Sequence, residues 1–205
     1  RNLLLGVTVL CLARTQGALY FMNNIKDDTL FERSRKQVLV NGIVFVLFFL
    51  SFVTATLLAT GYETNPLTGE VFPRAYKYFH NLIEMPWVAF MFLVGVVLVL
   101  YALIRSVFGQ HYTRGIWFSG IGTVLVVLSL FFIAGYNNTP YYPSVADMQS
   151  SLTIYNSSSS LFTLETMSVV SLLIPFVLAY IFYVWRAMDK KPITATEMKS
   201  NEHKY

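Results

Sequence analysis

Charge, cysteine and histidine are scarce in this 205-residue chain, and each scarcity excludes something. Only 13% of the residues are charged against 55% apolar, far from the composition of a soluble domain. The one cysteine, Cys11, has no partner for an internal disulfide and reads as a small buried hydrophobe. The three histidines, His80, His111 and His203, fall outside the long apolar stretches, so no such stretch offers a histidine ligand at depth. The seven methionines show no paired spacing and read as adaptable packing. No glycine loop to cradle a phosphate, no Ser/His/Asp nucleophile set and no Cys/His cluster is present. Taken alone, the chain is not a complete catalyst.

What is abundant is apolar length. Five stretches, Leu3–Met22, Val38–Thr60, Pro86–Ile104, Ile116–Gly135 and Leu164–Trp185, are each long enough to cross the hydrocarbon core as a helix. The expected fold is all-α and membrane-integral: a multi-pass domain over residues 1–185 followed by a tail at 186–205. Loop charges set the orientation. Lys26, Arg33, Arg35 and Lys36 lie in the first loop, Arg74 and Lys77 in the second, Arg105 and Arg114 close to or in the third, and none in the fourth. The tail adds Arg186, Lys190, Lys191, Lys199 and Lys204. Basic residues stay on the cytoplasmic side, so the first and third loops and the C-terminus are expected inside. The net charge of +4 is thereby explained by topology, without a nucleic-acid partner. With five spans and the tail inside, Arg1 falls outside, and neither an initiating Met nor a cleavable signal is present. The chain is therefore expected to be the C-terminal part of a subunit whose N-terminal portion adds an even number of spans.

Within the spans, Pro86 suits a first helical turn, and Trp87, Trp117 and Trp185 fall at headgroup depth. Gly115, Ser119, Gly120 and Gly122 allow close helix approach, and Pro175 implies a bend in the last span. Asn65-Pro66 and Thr68-Gly69 punctuate the second loop with turns, ahead of an aromatic stretch suited to the interface. The costly residue is Arg14, in the middle of the first stretch, where an uncompensated arginine costs at least about 2.5 to 3.5 kcal/mol. With Thr15 and Gln16 it forms a candidate set of buried polar or proton-path residues, beside Gly17. Arg14 reads either as a charge lining a path or as one half of a pair with a carboxylate on another helix or subunit. Glu84 and Glu165 read as interfacial acids near helix N-termini.

The order of RTQGALYF, TLFERSRK and NPL, then PYYPS, SSLTIYNSSSSLFTLETM and a proline-bearing last span, resembles subunit II of the cytochrome bd family of quinol oxidases. Thr15, Gln16, Gly17, Ala18, Arg33, Arg35, Pro143, Ser144, Ser151, Thr153, Asn156, Thr163 and Pro175 carry the resemblance. It implies a nine-helix subunit of which these are the last five spans. It also implies a haem-bearing partner, subunit I, holding haems b and d, with quinol and oxygen as substrates and lipid around the complex. The resemblance leaves room for a small accessory subunit and a structurally bound quinone. It assigns this chain no catalytic, cofactor-binding or metal-ligating residue. Arg14 departs from the pattern, which has an apolar residue there.

The expected role is thus a haem-free subunit of a respiratory terminal oxidase in a bacterial inner membrane, supporting quinol oxidation, oxygen reduction to water and proton motive force. The competing class is half of a secondary transporter, with Arg14 and Gln16 binding substrate near the midplane. The orientation is directly testable. Ser157→Cys should react with an impermeant thiol reagent in intact cells and Ser200→Cys should not; the reverse pattern would invert the topology.

Overall fold

The computed structural model describes residues 1–188 and the two-residue strand at 193–194. Water is absent from a bilayer core, so backbone groups there must bond internally, and helices are the economical solution. Five helical segments are long and apolar enough to span: α1 (Asn2–Asn24), α2 (Asp28–Leu57), α4 (Pro86–Phe108), α5 (Gly115–Gly135) and the last, Leu161–Met188. The helices exceed the apolar stretches mainly on the side where α1 turns into α2. There Asp27 caps α2 by accepting from the Leu30 N–H at 2.7 Å. Pro86 opens α4 at a position where its missing N–H costs nothing.

Helices α1 and α2 form one hairpin and α4 and α5 another, and the two hairpins pack through α2 on α4 and α1 on α5. Their shared core contains Cys11, Leu19, Met22, Phe31, Val38, Phe45 and Leu103. Cys11 is buried, as its apolar reading requires. Outward faces carry Leu47, Leu50, Phe90, Leu93, Val97, Val124 and Phe131, all exposed, as a lipid-facing surface demands. Trp87, Trp117 and Trp185 are also exposed, so they serve as belts rather than core.

Contact between α4 and α5 is closest at two glycines. A Cβ placed on Gly95 would stand 2.8 Å from the Gly122 carbonyl oxygen, and one on Gly122 would stand 2.7 Å from that of Gly95. Gly115 and Ser119 are likewise buried, whereas Gly120 faces open space. The small-residue pattern therefore contains one seam and one bystander.

The last span differs from a single bent helix. It is broken into α6 (Leu161–Ser171) and α7 (Ile174–Met188), with a tightened turn in which the Leu172 and Leu173 N–H groups reach back to Val169 and Val170. Pro175 has no N–H to give to the Ser171 carbonyl and its ring crowds that group, which explains a break just before it. Nearly every residue of α6 and α7 is exposed among the described residues.

The loops at one end fold into a cap. Strands β1 (Gly61–Thr64) and β2 (Val71–Arg74) pair antiparallel, Gly61 opposite Arg74 and Thr64 opposite Val71. Asn65 closes their turn by accepting from Gly69 N–H at 2.8 Å, and Gly69 takes φ 74°, which suits glycine. The Gln149 carboxamide bonds both the N–H and the C=O of Val71, each at 2.9 Å. A short helix, α3 (Lys77–Glu84), then leads into α4. At the opposite end Ile25–Lys26 pairs parallel with Ile193–Thr194.

The glycine seam yields a contrast. Gly122→Ala should destabilise by about 1 to 3 kcal/mol, the range for overpacking, while Gly120→Ala should be near neutral. Thermal unfolding of the two variants in one detergent checks this; equal effects would refute the seam.

Candidate functional site

The three sequence candidates in α1 separate in space. Thr15 is wholly buried, and its hydroxyl donates to the Cys11 carbonyl at 2.8 Å. Gln16 turns to α5, where its amide donates to Ser119 Oγ at 2.9 Å and Thr123 Oγ1 at 3.1 Å. Its own carbonyl oxygen, like the Ser106 hydroxyl, is buried without a partner among the described residues. Arg14 is exposed, on a flank of α1 that it shares with the exposed Leu10 and Phe21. At about 100° per residue, Arg14 and Gln16 point roughly 200° apart, so the two do not share one face of α1.

Leu19 packs beside Gly115, at the start of α5, with 3.0 Å between its Cδ2 and a Cβ placed there. Arg14 lies five residues, about one and a half turns, along α1 from that contact and near the middle of Asn2–Asn24.

Of the other residues that carry the resemblance, Arg35 donates through Nε to the Val107 carbonyl at 2.6 Å and pairs with Glu32 at 3.3 Å, tying α2 to the end of α4. Arg33 is exposed, and a Cβ on Gly17 would meet nothing within 4 Å. The Ser144 N–H donates to Ser151 Oγ at 3.0 Å, and Thr153 forms a reciprocal cap with Asn156 over the helical turn Ile154–Ser157. Thr163 bonds back to Ser160 at the start of α6. Pro143 lies half-buried between these turns, and Pro175 follows the break in the last span. These residues shape turns and helix entries; they do not converge on one site.

The strongest polar constellation is one that sequence reading missed. Lys77, at the start of α3, has a wholly buried side chain whose Nζ meets Glu63 Oε1 at 3.0 Å and donates to the Asn137 carbonyl at 3.0 Å. Arg74 meets the second Glu63 oxygen at 2.7 Å and Glu84 at 3.5 Å. Asn81, also fully buried, donates to the Ile133 carbonyl at 2.8 Å and to Thr139 Oγ1 at 2.7 Å, while Asn137 donates to Asn81 and Glu84. Three separate segments are thus joined: hairpin, α3 and the end of α5. Burial pushes the Glu63 carboxyl up, but hydrogen bonds from Arg74 and Lys77, with their charges, outweigh it and hold the group below its ordinary value. Glu63 in turn raises the Arg74 pKa. Glu84 therefore joins an ion network, whereas Glu165 makes no ion pair among the described residues.

His80 lies in α3 and His111 in the turn after α4, stacked on Phe31 at 5.1 Å. His203 lies outside the described residues. Among the described residues no group of three or more His, Cys, Asp and Glu is placed to hold a metal ion.

Comparison with known proteins gives one family. The sequence matches the family described as cytochrome bd terminal oxidase subunit II over residues 1–188. It is 28% identical over 218 residues to cytochrome bd-I ubiquinol oxidase subunit 2 of Escherichia coli strain K12, and equally to that of strain O157:H7. That alignment covers 98% of this chain and 55% of each relative, so the chain spans about half the length of the relatives it matches.

Lys77 has a measurable consequence. Lys77→Met leaves Glu63 and the Asn137 carbonyl facing an apolar side chain, and breaking a buried pair typically costs about 3 to 5 kcal/mol. Thermal unfolding should show that loss. Because the Glu63 pKa is lowered on folding, its contribution is present above the unfolded glutamate value of about 4.3 and is lost as pH falls through the folded value. Glu63→Gln should remove that acid dependence; an unchanged acid limb would contradict the assignment.

Proposed function

Because the chain belongs to the cytochrome bd terminal oxidase subunit II family, we propose that it serves as a haem-free membrane subunit of a quinol:oxygen oxidoreductase. Its partner is the haem-bearing subunit I, which carries haems b and d. The complex oxidises quinol, reduces oxygen to water and supports proton motive force. The observation that carries this reading is the family match, which runs through all five spans. A bound quinone and a small accessory subunit belong to the same proposal, with nine helices in the full subunit.

Several features support it. His80 and His111, with cap and turn positions, lie outside the spans, where a haem iron within the bilayer would not find them. The C-terminus is proposed on the cytoplasmic side with the α1–α2 turn, and the pairing of Ile25–Lys26 with Ile193–Thr194 agrees with one side for both. The cap then faces outward. Against the transporter reading, Arg14 and Gln16 face opposite ways and form no common substrate site.

The test is spectroscopic. The complete subunit, tagged and purified from membranes, should bring with it a second polypeptide and reduced-minus-oxidised haem bands. His80→Ala, His111→Ala and His203→Ala should leave those bands unchanged at constant subunit stoichiometry. A complex without haem bands would favour transport, and loss of one band in any variant would place a haem ligand here.

A further inference from the structure

At the cap, the ends of α4 and α5 and the segment 136–155 line a half-open cavity of about 550 Å³. That lies within the span of small-molecule sites, about 300 to 1,000 Å³. Aromatic faces come from Trp87, Tyr136 and Tyr155, and neutral hydrogen-bonding groups from Thr64, Asn137 and Asn138. Trp87 and Tyr136 are held edge-on against Phe132, with ring centroids at 4.8 and 5.6 Å, so their orientation is fixed before anything binds.

Two polar groups of this wall remain uncommitted. Thr64 is 8% exposed, and its buried hydroxyl has no hydrogen-bond partner among the described residues. The Asn138 carboxamide makes no hydrogen bond among them either, although its backbone is held at φ 55°, next to Asn137 at φ 56°. Left-handed backbone at consecutive non-glycine residues is costly and gathers at ligand sites. Nearby charges, by contrast, are already paired: Lys77 with Glu63, and Arg74 with Glu63 and Glu84. Among the described residues lining the cavity, a phosphate finds no free cation and a cationic ligand no free carboxylate.

A neutral ligand with flat C–H faces and several hydroxyls matches such walls. Trp87 is the second residue of α4, at headgroup depth, where a ligand's tail can enter the bilayer. We propose that this cavity binds the neutral glycosyl headgroup of a membrane lipid, the sugar stacking on Trp87 and Tyr155 and bonding Thr64 and Asn138. The site depends on membrane placement and not on the oxidase reading, so either can fail alone.

The test uses the full complex, purified in a detergent without a sugar headgroup and placed in nanodiscs. Retained lipid is measured by mass spectrometry for monoglucosyl diacylglycerol, phosphatidylglycerol and phosphatidylcholine of matched acyl chains, with free glucose as competitor. Tyr155→Ala removes an exposed ring, and Asn138→Gly removes the carboxamide while keeping the backbone. The glucosyl lipid should be retained about tenfold over both phospholipids, and each variant should lose about tenfold, with thermal unfolding and haem content unchanged. Equal retention of the three lipids, or retention unaffected by both variants, overturns the site. Displacement by free glucose as potent as by the glucosyl lipid overturns the lipid source.

Discussion

The structure depends on one constraint: inside a bilayer no water is available to satisfy a polar group, so an unpaired one is costly and most are satisfied by the protein or moved to an interface. The helices follow from it, and so do the side chains within them. Thr8, Thr15, Thr123 and Ser129 each turn the hydroxyl back onto a carbonyl four residues earlier in their own helix. Apolar neighbours then see only methyl and methylene surface. Gln16, too long to bond its own helix neatly, instead links α1 to two hydroxyls of α5.

Where the helices leave the bilayer the constraint changes sign. Charged groups become available, and the cap uses them to bury a lysine completely. Lys77 holds Glu63 from the hairpin and the Asn137 carbonyl from the end of α5, so loops far apart in sequence share one polar centre. Its net worth is smaller than its Coulomb attraction, because both ions lose hydration. What it contributes is placement. Left-handed backbone at Tyr76, Asn137 and Asn138 persists because this network and the aromatic contacts of Phe132 hold the segments on both sides.

Much of the fold was legible in the sequence because hydropathy over twenty or so residues is a strong signal. The spans, the tryptophan belts and the proline break follow from composition at fixed depth. The hairpin was not legible: four-residue strands containing Gly61, Glu63 and Pro73 carry no usable alternation, and only their turn at Asn65–Gly69 leaves a trace. Nor was the Lys77 centre, since its partners lie 14 and 60 positions away in sequence. A lysine among short-loop charges reads as topology until its contacts are seen. The family resemblance succeeded on turn-forming residues such as Ser144, Thr153 and Thr163, whose roles are structural and whose spacing is fixed by hydrogen bonds.

The cap is a folded unit locked by Lys77, not a set of independent loops. Hydrogen exchange of the complex in nanodiscs tests it residue by residue. Amides of Gly61–Thr64, Asn81 and Thr139 should be protected together, and in the Lys77→Met variant all three should open while the spans stay protected. Exchange of these amides at unstructured rates in the unaltered protein would contradict the claim.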